Sequence, residues 1–210
     1  MSTFQYEEGE KLYVECLEKC RSLQGENHPL SIGIMTNLAC IYEMQNKPLD
    51  QVEAIRKECL EKSIVICGKD DPTTLNAMYN LSTSYLKQGY LDEAANLYKE
   101  CLEKSILVLG KDHHETLTTM SRLAETYYRQ GRYDEALKLN QECLERMKII
   151  LGESHPDTLK VIFNLVHTHS EMGQLSKAAA LVKGFYQNKC VDLGGDHVGI
   201  LAAMRSQSKS

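Results

Sequence analysis

Residues Gly68–Leu109 read GKDDPTTLNAMYNLSTSYLKQGYLDEAANLYKECLEKSILVL, and the pattern recurs. Gly110–Leu151 follows as GKDHHETLTTMSRLAETYYRQGRYDEALKLNQECLERMKIIL, and Gly152–Leu193 as GESHPDTLKVIFNLVHTHSEMGQLSKAAALVKGFYQNKCVDL. Upstream, Gly25–Cys67 is a further copy, one residue longer because Asn46-Lys47-Pro48 stands where the others have a tighter turn. A fixed period of 42 residues marks a stacked repeat array and overrides any single local signal.

Each copy divides into two helices. The first opens after a glycine at His28-Pro29, Asp71-Pro72 or His155-Pro156, where proline's missing N–H costs nothing. Leu75, Met78, Leu81, Ser82 and Tyr85 then fall at helical spacing and form one apolar stripe. Gly89, Gly131 and Gly173 end these helices, because a left-handed residue costs glycine little. The second helix is expected to start near Asp50, Asp92, Asp134 or Ser176, all N-capping residue types. Its stripe in the second copy is Ala94, Leu97, Tyr98, Cys101, Ser105, Val108 and Leu109. Helices joined by about three residues pair antiparallel. The expected organisation is a second-type helix over residues 1–24, repeats at 25–67, 68–109, 110–151 and 152–194, and the start of a further helix with a frayed tail at 195–210. All of it belongs to one all-α solenoid of stacked antiparallel helix pairs.

Composition narrows the function. The 210 residues carry a net charge of -5, with no basic run interleaved with aromatics, so nucleic acid is not the expected partner. No apolar stretch approaches the ~20 residues of a membrane helix, and MSTFQYEEGEKLY is not a secretory signal, which implies a soluble cytoplasmic chain. Cys16, Cys59, Cys101 and Cys143 recur at the repeat period and are expected to be reduced thiols in a small buried niche. His28, His113, His155 and His197 recur at repeat junctions, which points to capping of helix starts rather than a metal cluster. Paired carboxylates, a nucleophile elbow, a phosphate loop and a dinucleotide fingerprint are all missing, so neither catalysis nor a cofactor is expected.

The repeat also has a recognisable identity. A large residue, then Leu and a small residue, then Tyr, then a small residue in the second helix is the tetratricopeptide pattern. It appears as Met78, Leu81, Ser82, Tyr85, Ala94; as Met120, Leu123, Ala124, Tyr127, Ala136; as Met35, Leu38, Ala39, Tyr42, Val52; and most weakly as Ile162, Leu165, Val166, His169, Ala178. The 42-residue version, with LG-x-(D/S)-H-P between copies, resembles the repeats of kinesin light chains and nephrocystin-like proteins over about residues 6–198. That resemblance implies a superhelix whose first helices line a concave groove. It would place Asn76, Asn80, Thr83 and Lys87, then Arg122, Glu125 and Arg129, then Lys160, Asn164 and His167 in that groove, along with Asn37. Asn37, Asn80, Arg122 and Asn164 occupy equivalent places. Asparagine can read an extended backbone as both donor and acceptor, and Arg122 suits a carboxylate. The expected partner is therefore a protein presenting a short acidic or carboxylate-bearing segment, in a cargo or adaptor setting. The alternative is a structural or sensor segment of a larger scaffold that packs on other domains. Uncapped ends would in either case favour self-association.

Overall fold

The computed structural model describes residues 3–192, with side-chain surroundings for residues 6–184. The expected start of a further helix at 195–210 and His197 lie outside the described residues. The helices run α1 (Thr3–Gln24), α2 (Pro29–Met44), α3 (Leu49–Cys67), α4 (Pro72–Gln88), α5 (Leu91–Val108), α6 (His114–Arg129), α7 (Tyr133–Ile150), α8 (Pro156–Glu171) and α9 (Leu175–Asp192), with no strand among the described residues. Consecutive helices pack on one another from α1 to α6 and again from α7 to α9, the arrangement of an all-α solenoid. The chain divides into two compact units, Met1–Arg132 and Tyr133–Ser210.

Local chemistry explains the helix ends. His28, Asp71, His113 and His155 sit at the N-caps of the first helices in extended backbone. The imidazole Nδ1 of His28 accepts from the Leu30 N–H at 3.3 Å, and His155 accepts likewise from Asp157 at 3.2 Å, filling the role Asp71 fills for Thr73 at 2.8 Å. The junction histidines in the described residues are caps. The second helices start near the expected residues, but Asp50, Asp92 and Asp134 lie inside the first turn rather than at the cap, as does Ser176. Pro48 and Tyr90 precede α3 and α5 and make no side-chain cap. A carboxylate in the first turn still meets the positive end of the helix dipole, so the acid is placed for charge rather than for a capping bond. At the helix turn Gly89 is left-handed at φ 84°, and Asn46, its counterpart in the longer copy, adopts φ 54°.

In the first unit the core is built from the two stripes. Leu75, Met78 and Cys101 form one cluster, with Leu60, Tyr79, Leu97 and Leu109 against it; Leu17, Met35 and Cys59 form another. Ala94, Tyr98 and Ser105 are buried as expected, but Val108 is exposed, and Ala95 and Leu102 are buried in addition. Cys59 and Cys101 fill the niche where paired helices meet, each thiol facing a carbonyl of its own first helix, Ile32 at 3.8 Å and Leu75 at 3.3 Å. Cys143 is likewise buried, whereas Cys16 is exposed. The reason is that α1 has no preceding first helix against it among the described residues, so that niche has one wall only. The second unit packs α7 on α8 and α8 on α9, with Leu144, Met147, Val161 and Leu165 in its core.

Candidate functional site

In the first unit the first helices of successive repeats are tied by their polar side chains. Lys87 Nζ on α4 is 3.0 Å from Glu43 Oε1 on α2. From α6, Arg122 Nε donates to the Tyr79 hydroxyl at 3.4 Å, and Arg129 Nη1 donates to the Leu86 carbonyl at 2.7 Å. These residues recur at the period because each sits on the same stripe of its helix, about 100° per residue around the axis. The Leu86 carbonyl, at the end of α4, also accepts from the Gly89 N–H at 3.3 Å, so Arg129 is a second donor to it.

The expected site residues in this unit divide into two groups. Asn37 is exposed, and Asn80, half-buried, donates through Nδ2 to Asn76 Oδ1 at 2.9 Å. Arg122 keeps about two fifths of its side chain exposed and donates through Nη1 to Glu125 Oε2 at 2.9 Å. Burial pulls the Arg122 guanidinium down, but the Tyr79 hydroxyl and the Glu125 carboxylate outweigh it and hold the group charged well above its ordinary range. This group presents donors and charge at the surface. The other group is structural: Thr83 donates to the Tyr79 carbonyl and shares a 2.7 Å hydrogen bond with the Tyr98 hydroxyl, while Lys87 and Arg129 hold neighbouring helices. In the second unit, Lys160 Nζ reaches Asp157 Oδ1 at 2.8 Å, Asn164 is half-buried and His167 is exposed, all on α8.

Two features were not anticipated from the residue pattern. Arg56 on α3 is 5% exposed; its Nη1 donates to the Asn80 carbonyl at 2.6 Å and the Ser84 hydroxyl at 2.7 Å, and its Nη2 meets Glu43 at 2.9 Å. It occupies the place of Tyr98 in the next repeat, a departure visible on alignment of the copies. Second, a cleft of ≈ 150 Å³ opens between α4, α5 and α6, lined by Asn76, Tyr79, Cys101, Ser105, Thr118 and Thr119. Its lining is mixed, with Leu75 and the Tyr79 ring beside the polar groups of Asn76, His114, Glu115 and Thr118. Among the described residues no group of three or more His, Cys, Asp or Glu side chains is placed to hold a metal, and no helix is long and apolar enough to cross a membrane.

Comparison with known proteins agrees with this architecture. Among curated proteins none matches significantly. Solved structures do. One is a Podosopora anserina protein described as a kinesin light chain with nearly identical TPR-like repeats (TM-score 0.79, 20% identity, covering 90% of this chain and 89% of that one). Another is BtubC (BKLC) from P. vanneervenii (TM-score 0.81, 21% identity, 90% and 75% covered). A third is NprR in complex with its cognate peptide NprX (TM-score 0.59, 16% identity, 98% and 62% covered). At these identities the likeness shows the fold alone. The tetratricopeptide repeat model matches residues 74–149 and, overlapping them, 115–183, together more than half of the sequence. With its helix pairs, its period and its residue pattern in agreement, the chain belongs to the tetratricopeptide repeat family.

Proposed function

We propose that this protein is a non-catalytic, cytoplasmic interaction module that holds a short, acidic linear segment of a protein partner along the face formed by α2, α4 and α6. The observation that carries the reading is the row Asn37, Asn80 and Arg122, which offers amides and a charged fork at equivalent places on successive first helices. The adjoining cleft at Asn76, Tyr79 and Thr118 supports it by offering a seat for one partner side chain. Lys160, Asn164 and His167 on α8 would offer polar groups of the same kind within the second unit. NprR, whose complex holds a peptide, is a fold relative that makes such use of the repeat plausible. Cargo or adaptor recognition is the setting that the kinesin light chain-like repeats favour.

A peptide array, followed by titration of the positives, tests the proposal. Arg122→Ala should weaken acidic peptides by roughly tenfold or more, the worth of a hydrogen bond to a charged group. Binding should also weaken as salt rises. If Arg122→Ala and Asn80→Ala leave every peptide interaction unchanged, the face is not the binding site.

One observation favours a second reading, self-association. Leu12, Cys16 and Leu23 are exposed and lie within about 40° of one another around α1, an apolar flank that suits a second copy of the chain. Light scattering that stays monomeric over a wide concentration range would remove this reading.

A further inference from the structure

The repeats act as internal controls for one another, and one cleft in the second unit departs from them. A cleft of ≈ 390 Å³ opens between α7, α8 and α9. Its walls are where the end of the third copy and the fourth copy break pattern. Gly184 stands in place of Glu100 and Glu142, and Ala180 in place of Asn96 and Lys138, which opens the space. Lys177 replaces Glu93 and Glu135, which reverses the charge there, and Lys148 replaces Ile64 and Ile106, which adds a positive one. His169, 5% exposed, replaces Tyr85 and Tyr127, and its Nδ1 lies 2.9 Å from Gln174 Oε1.

The apolar lining comes from Leu144, Ile162 and Leu181, and the charged lining from Lys148, Lys177 and Glu153. Lys148 is paired with Glu153 at 2.8 Å, whereas Lys177 has no carboxylate partner among the described residues. The volume is at the lower end of the range for small-molecule sites. An apolar trough with an uncompensated ammonium group at its wall fits a ligand that is aliphatic along its body and anionic at one end.

We propose that this cleft binds a small amphiphilic carboxylate, an aliphatic chain whose carboxylate meets Lys177 while its hydrocarbon lies on Leu144, Ile162 and Leu181. The site shares no residue with the proposed peptide-binding row and stands whether or not that row binds peptide. Attraction to the ammonium sets the headgroup preference, and burial of the chain sets the dependence on length.

The repeats also supply variants that preserve the fold. Gly184→Glu and Lys177→Glu each restore the residue of the other copies, and a Cβ at Gly184 meets no atom within 4 Å. Replacing a glycine within a helix also favours the helix. Octanoate, octanol and octylammonium are titrated into the full chain by calorimetry, with helix content and melting followed in parallel. Octanoate should bind saturably and at least tenfold tighter than octanol, with octylammonium weakest. Both variants should keep the fold and lose octanoate affinity by roughly tenfold or more. Equal binding of octanoate and octanol, no saturable octanoate binding, or full affinity in Gly184→Glu would each overturn the proposal.

Discussion

Arg56 on α3 bonds to both α2 and α4, and the cost of removing it follows from those contacts. The buried guanidinium donates to the Asn80 carbonyl and the Ser84 hydroxyl and is paired with Glu43. Removing one member of a buried ion pair costs about 3–5 kcal/mol, because the other charge is left without compensation. Here Glu43 retains Lys87 at 3.0 Å, and about a fifth of its side chain reaches solvent. Ser84 can return its hydroxyl to its own helix, as Ser82 does to the Met78 carbonyl at 2.7 Å. The cost of Arg56→Ala should therefore fall at the lower end, about 3 kcal/mol. Arg56→Met keeps the aliphatic stem and should cost about 1–2 kcal/mol, since an apolar replacement of similar shape removes the desolvation penalty along with the bonds. For a chain of this size each kcal/mol moves the melting temperature by about 2–4 °C, so the Ala variant should melt about 6–12 °C lower. Because repeat arrays can unfold in parts, melting should be paired with amide exchange, which should show α4 opening first. An Ala variant within 1 °C of the parent, or one less damaging than Met, would refute the reasoning.

Alkaline pH should destabilise the fold through its thiols. Burial raises Cys59 from 9.0 to about 11 and Cys143 to about 12, so unfolded thiols ionise while the folded ones stay protonated. The unfolded state then binds fewer protons, and stability that is intact below pH 9 falls as pH rises toward 11; melting curves across that range should be steeper for the parent than for Cys59→Ala. The left-handed backbone at Asn46 predicts that Asn46→Gly stabilises by about 0.5 kcal/mol and Asn46→Val destabilises by about 1–2 kcal/mol, measured by denaturant titration.

Where sequence reasoning succeeded, the information was periodic. Residues such as Met78, Leu81 and Cys101 had to be buried because their spacing put them on the inner face of every copy, and the histidine caps were legible because they repeated with the glycines before them. The placement of Cys16 was not legible, since burial there needs a neighbouring helix that no local pattern reports. The candidate row was legible as a stripe but not as chemistry. Thr83 and Arg129 share the stripe with Asn80 and Arg122, yet their atoms are spent on Tyr98 and Leu86.

The sequence by itself thus determined the helix pairs, their order and the face on which polar residues gather, because 3.6-residue periodicity and glycine turns act over a few residues at a time. Only the tertiary structure decided which of those polar groups face solvent, that Arg56 reaches the Asn80 carbonyl from another helix, and that clefts open at Tyr79 and Gly184. Those outcomes depend on distances between side chains 24 or more residues apart, which packing sets and linear spacing does not encode.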